Sequence, residues 1–266
     1  MKAGVSTACL YPDFLENALS ELMENGVRTT EIFVNTHSEV VPEFTGMLAD
    51  IISANGGECA AYHPYTCPME PMMMFSGYSR RMKDMLEYHK YYFDAMNRLG
   101  AKIFVFHGNM NAVAVPDDFY FEVFDELSRA AERFGIVAAQ ENVARCQSHS
   151  LEFMKNMAGK LGSRAKFVLD VKQALRSGED PAEIVRTLGS GIVHVHMSDN
   201  NKDDDCLVPG KGNFDIYSFL SLLHEKGFDG TVMIELYRRG FQTVSELTEG
   251  CTYIESLIKR IEERKD

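Results

Sequence analysis

The chain has 266 residues, 45% of them hydrophobic and 25% charged, which is ample apolar material for one large core. Its 39 Asp and Glu outnumber 27 Lys and Arg, a net charge of -12 that argues against nucleic acid as the main partner, because phosphate binding needs clustered cations. Six scattered cysteines (Cys9, Cys59, Cys67, Cys146, Cys206 and Cys251) include no C-x-x-C pair, which excludes a disulfide framework or structural zinc site and points to free thiols in the cytoplasm.

The first residues, MKAGVSTACLYPDF, reach Pro12 and Asp13 too early for a signal peptide, and no apolar run approaches the roughly 18 residues of a membrane span. From there the chain alternates β-prone runs with amphipathic helical stretches. Strands are expected at Ala3–Ala8, Thr29–Val34, Cys59–His63, Ala101–His107, Val137–Glu141, Lys166–Asp170, Ile192–His196 and Thr231–Leu236. Runs such as KIFVF and TVMIEL are nearly continuously apolar, as in strands of a parallel sheet buried on both faces.

Between them, Phe14, Leu15, Ala18, Leu19 and Leu22 repeat at helical spacing, as do Ile216, Phe219, Leu220 and Leu223 after a candidate N-cap at Asn213. Leu247, Cys251, Ile254, Ile258 and Ile261 predict a closing helix. Gly26, Gly100, Gly135 and Gly227 fall where helices should stop. The methionine-rich Met69–Met74 reads as a flexible apolar loop covering the mouth of the fold. Eight strand–helix repeats without G-x-G-x-x-G after the first strand favour a closed α/β fold, a single (β/α)8 TIM barrel over residues 1–266.

Active sites of such barrels lie at the C-terminal strand ends. Here those ends carry Glu31, His63, His107, Glu141, Asp170, His196 and Glu235. The last four lie 29, 26 and 39 residues apart, about one repeat each, so they converge. Buried carboxylates need compensation, which a cation supplies. Three carboxylates and one imidazole suit one divalent Mn, Mg or Co ion, with Zn also compatible. His194 shares a strand face with His196 and reads as a hydrogen-bonded interior histidine.

At these positions the chain resembles the xylose isomerase-like barrel superfamily of sugar isomerases and epimerases, which also contains endonuclease IV. The resemblance is carried by HPY at His63, FHGN at His107, QENV at Glu141, LDVKQALRSGEDP from Leu169, HVHMSDN from His194, PGKGNFD from Pro209 and IEL at Glu235. Likeness to the ketose 3-epimerases implies Glu141, Asp170, His196 and Glu235 as metal ligands and Glu141 and Glu235 as the acid–base pair. The implied partner is a small-molecule sugar or sugar phosphate, and barrels of this kind often form homodimers.

Departures narrow the implication. Gln173 stands where the family usually has a substrate-holding histidine, and Cys206 replaces another histidine expected before PGKG, with Asp204 two residues earlier. Losing two imidazoles disfavours the three-metal site of endonuclease IV, leaving His63 and His107 as pocket residues. Lys202 takes the place of a substrate-contacting arginine, and Glu31 either meets sugar hydroxyls or pairs with a neighbour. Arg238, Arg239 and Gly210-Lys211-Gly212 lie where barrels often hold phosphate. A keto-inositol dehydratase and a non-catalytic sugar-binding barrel are the competing readings.

Overall fold

The computed structural model describes residues 1–65 and 67–265. Eight strands form a closed barrel: β1 (Lys2–Ser6), β2 (Thr29–Phe33), β3 (Glu58–His63), β4 (Ile103–Phe106), β5 (Val137–Glu141), β6 (Phe167–Asp170), β7 (Ile192–Met197) and β8 (Thr231–Ile234). Every neighbouring pair is parallel, and β1 closes on β8 with Lys2 opposite Thr231 and Val5 opposite Ile234. This is the expected TIM barrel. His107 and Glu235 lie one residue beyond β4 and β8, and the Glu235 N–H still donates to the Met197 carbonyl of β7 at 3.3 Å.

The helices are α1 (Leu15–Glu24), α2 (Pro42–Ala54), α3 (Met69–Met74), α4 (Ser79–Leu99), α5 (Asp117–Glu132), α6 (Leu151–Leu161), α7 (Val171–Arg176), α8 (Pro181–Leu188), α9 (Ile216–Glu225) and α10 (Val244–Glu262). The spacing-derived faces of α1, α9 and α10 are buried as expected, except that Phe14 precedes α1 and is exposed. The N-cap of α9 is Asp215, not Asn213: its carboxylate accepts from the Ser218 N–H, while Asn213 lies before the helix. Met69–Met74 is helical, with Met74 buried. Gly100 ends α4 at φ +78°, a left-handed conformation that only glycine adopts without strain.

Strand residues such as Ile32, Phe104, Leu169 and Val195 join helix residues such as Leu19, Phe93, Phe124 and Ile254 in the main core. Val105, Ala139 and Val168 form a second, small cluster. The two-residue alternation of a strand puts Ala139 on the face of Glu141, and Val168 on that of Asp170. A thin apolar layer therefore floors a charged one. Among the described residues, no helix is long and apolar enough to cross a membrane.

Candidate metal centre

Glu141 ends β5, Asp170 ends β6, His196 lies in β7 and Glu235 follows β8. The β6–β7 register sets Asp170 directly opposite His196. One ligand atom from each of the four lies within 4.8 Å of the other three. His196 Nδ1 is 3.2 Å from Glu141 Oε1, 3.6 Å from Glu235 Oε2 and 3.9 Å from Asp170 Oδ2. Glu141, Asp170 and His196 are buried, whereas the Glu235 side chain keeps 16% exposure and so opens the cluster to the pocket.

The donor set fits a divalent ion. Glu141 Oε2 and Asp170 Oδ2 are both buried and have no well-directed hydrogen-bond donor among the described residues. His107 Nε2 and Lys172 Nζ lie 2.7 and 3.2 Å from them without good hydrogen-bond geometry, and buried oxygens so placed favour a further cation. Burial and the neighbouring carboxylates raise the Asp170 carboxyl to about 6, against the pull of Lys172. Burial works in the same direction on Glu141, but His107 and His196 outweigh it and hold that carboxyl well below the usual range.

His196 is held from behind. Its Nε2 lies 3.0 Å from Glu31 Oε2, which also receives His194 Nε2 at 3.1 Å, while Glu31 Oε1 accepts from Ser6 Oγ at 3.0 Å. A carboxylate behind a ligating imidazole fixes its tautomer and orientation. Here Nε2–H donates to Glu31 and Nδ1 faces the quartet. Glu31 is fully buried and spent on three partners, so it supports His196 instead of meeting sugar hydroxyls. His194 is the expected interior histidine.

His63 and His107 line the pocket beside Glu141. His107 Nε2 lies 2.7 Å from Glu141 Oε2 and 3.0 Å from His63 Nε2. His63 Nδ1 donates to the Pro64 carbonyl at 2.9 Å, which leaves its Nε2 a lone pair. His63, His107 and Glu141 therefore also converge as a second ligand group, and Glu31, His194 and His196 as a third. Gln140 supports His107 from below: it accepts from Tyr120 Oη at 2.7 Å and donates to the carbonyls of Phe106, His107 and Glu141.

The pocket above the quartet has a volume of about 380 Å³ and is lined among others by Tyr11, Phe33, Gln173, Arg145, Arg176 and Tyr237. Gln173 is thus in place, with Oε1 accepting from the Ala144 N–H. Lys202 is not: its side chain is 88% exposed, 3.9 Å from Asp203, on the solvent side of its loop. Cys206 is buried and its Sγ accepts from the Tyr237 N–H, and Asp204 accepts from the Cys206 N–H. Neither belongs to a ligand group. The glycine loop does not await phosphate, because Asp199 already accepts from the N–H groups of Gly210, Gly212 and Phe214. Arg238 and Arg239 lie over the rings of Phe241 and Tyr237.

Sequence reading passed over Lys172. Its buried Nζ lies 3.2 Å from both Asp170 Oδ2 and Glu235 Oε2. A readable signal existed: a lysine in the first turn of a helix faces the positive end of the macrodipole and needs anions nearby.

Comparison with known proteins agrees with this architecture. A solved structure described as a D-tagatose 3-epimerase-like protein superposes with a TM-score of 0.82 at 22% identity, covering 100% of both chains. The uncharacterized protein MJ1311 of Methanocaldococcus jannaschii is 28% identical over 253 residues, 88% of this chain and 83% of that one. An inosose isomerase of Halalkalibacterium halodurans is 27% identical over 133 residues, 46% of this chain and 47% of its own length. The family described as xylose isomerase-like TIM barrel matches residues 19–257, and the chain belongs to it.

Proposed function

We propose that this protein is a sugar or sugar-phosphate isomerase or epimerase that works with one divalent metal ion, residues 1–266 acting as one domain. The observation that carries the reading is the convergence of Glu141, Asp170, His196 and Glu235, with two of their oxygens buried and lacking a directed donor. These four would hold the ion, Mn, Mg or Co by their hard oxygens, with Zn compatible. When bound, the ion supplies electrophilic stabilisation of the charge that develops on a ketose oxygen as the α-proton leaves.

The protein's own groups do the rest. Glu141 and Glu235 are the acid–base pair, one removing the proton next to the carbonyl and the other returning one. Their environments differ in the direction that a division of labour needs. Glu141 is sealed against His107, whereas Glu235 is partly open to the pocket and paired with Lys172. His63, His107 and Gln173 line the space where sugar hydroxyls would be oriented, and Tyr11, Phe33 and Tyr237 supply apolar walls. The name of the D-tagatose 3-epimerase-like neighbour and the acidic net charge support a sugar over a nucleic acid.

A keto-inositol is the second reading, favoured by the partial match to inosose isomerases. The test is metal analysis of the purified protein, then incubation with a panel of ketoses, their phosphates and keto-inositols in deuterated water. One ion per chain and deuterium at the carbon next to the carbonyl are expected. Glu141→Gln and Glu235→Gln should each lower exchange by about 10²–10⁴-fold. A product lacking one oxygen would replace isomerisation with dehydration. Two or more tightly held ions would favour the ligand group of His63, His107 and Glu141 and a phosphodiesterase. Turnover unchanged in both glutamine variants would refute the acid–base assignment.

A further inference from the structure

Building on the metal reading above, we propose that Lys172 is a built-in competitor of the ion, whose ammonium contends for Asp170 and Glu235 and so keeps the bound metal exchangeable. The contest is set by how few oxygens remain. Asp170 Oδ1 is committed as the N-cap of α7, accepting the Gln173 N–H at 2.8 Å. That leaves Oδ2 as the atom Asp170 can offer, and Lys172 Nζ lies 3.2 Å from it. On Glu235 the ammonium lies 3.2 Å from Oε2 and 3.4 Å from the backbone carbonyl. Asp170 Oδ2 and Glu235 Oε2 also face His196 Nδ1, at 3.9 and 3.6 Å.

The ammonium is fixed in place by burial. Lys172 is 2% exposed and stands in the first turn of α7, where the helix end disfavours a cation unless anions compensate it. It also has somewhere to remain when the carboxylates turn away, because Nζ lies 5.2 Å from the centre of the Tyr237 ring. Three carboxylates balance one dication and one ammonium. Lys172 thus neutralises the loaded site while weakening each bond it shares.

Two effects of opposite sign follow from removing the charge. Without metal, three carboxylates face one another with the histidines as their remaining partners and one cation fewer, and the fold weakens. With metal, the ion no longer shares Asp170 and Glu235, and it binds more tightly. Wild type and Lys172→Met are stripped with chelator and titrated with Mn²⁺ by calorimetry, and both are melted with and without saturating Mn²⁺. The expected result is at least tenfold tighter Mn²⁺ binding by K172M, a lower melting temperature when stripped, and a larger rise on adding Mn²⁺. Equal or weaker binding overturns the proposal, and so does a fall in melting temperature of the same size with and without metal, which a purely structural lysine would give. Should K172M not fold when stripped, Lys172→Gln carries the same expectations. Failure of wild type and variants alike to take up Mn²⁺, Co²⁺ or Zn²⁺ would instead remove the metal reading itself.

Discussion

Glu31→Gln tests the support behind the site most directly, because the change keeps shape while it removes the charge and turns one acceptor oxygen into an amide donor. Glu31 Oε2 takes two imidazole nitrogens at 3.0 and 3.1 Å, and Oε1 takes the Ser6 hydroxyl. Hydrogen bonds to a charged acceptor contribute about 1.5–3 kcal/mol each against about 1 for neutral ones, so the swap should cost about 1–4 kcal/mol over the two imidazoles. In a domain of this size about 3 kcal/mol lowers Tm by roughly 6–12 °C. Since Glu31 orients His196, a proposed ligand, affinity for Mn²⁺ should also fall about 10–100-fold.

The pH dependence has a definite sign. Burial raises the Glu31 carboxyl, but His196 and His194 outweigh it and hold it well below its ordinary value of 4.5. A carboxyl depressed in the folded state contributes stability that is present above 4.5 and lost as pH falls through the folded value. The gap between wild type and E31Q should therefore be widest near neutrality and close in acid. Urea melts at several pH values, with and without metal, measure it. A variant within about 0.5 kcal/mol of wild type at neutral pH, binding Mn²⁺ equally well, would refute the account.

Other consequences are equally concrete. Gly108→Ala should destabilise by about 3 kcal/mol in a chemical melt, since φ is +75° and the new methyl would overlap the Tyr120 hydroxyl that holds Gln140. Asp199→Ala leaves the N–H groups of Gly210, Gly212 and Phe214 without their acceptor, and should cost about 3 kcal/mol while making limited proteolysis cut within residues 199–214. Native protein should expose a single readily alkylated thiol, Cys67, with all six reacting after denaturation. Burial pushes Cys9, Cys59, Cys146 and Cys251 up to about 12, so raising the pH to 9 should not recruit them, because the reactive thiolate forms only near that value.

The fold was legible because each strand is a short apolar run closed by a polar residue, and each repeat is long enough for one helix. The same punctuation exposed Glu141, Asp170, His196 and Glu235, whose order along the chain is their order around the barrel. Local chemistry was less decisive. Asn213 and Asp215 are both good caps two residues apart, and only the course of the chain into α9 selects Asp215. The six residues Met69–Met74 look like filler in sequence, yet they form a helix of just under two turns against α4. The roles of Glu31 and Lys172 were hidden for a different reason. The imidazoles that Glu31 meets lie 163–165 residues away and Glu235 lies 63 residues from Lys172, so the sequence can show that a charge needs a partner nearby but not which distant one it meets.

The seam between β8 and β1 also orders how the protein comes into being. Glu141, Asp170 and His196 leave the ribosome before Glu235, and the last ladder joins residues 231–234 to residues 2–5. This pairing spans nearly the whole chain, the kind of distant contact that forms slowly. Three of the four proposed ligands therefore stand on an open sheet before β8 is made, and its ladder with β7 then brings Glu235 beside His196. Completion of the quartet and closure of the fold are thus both left to the last strand, which meets β7 on one edge and β1 on the other.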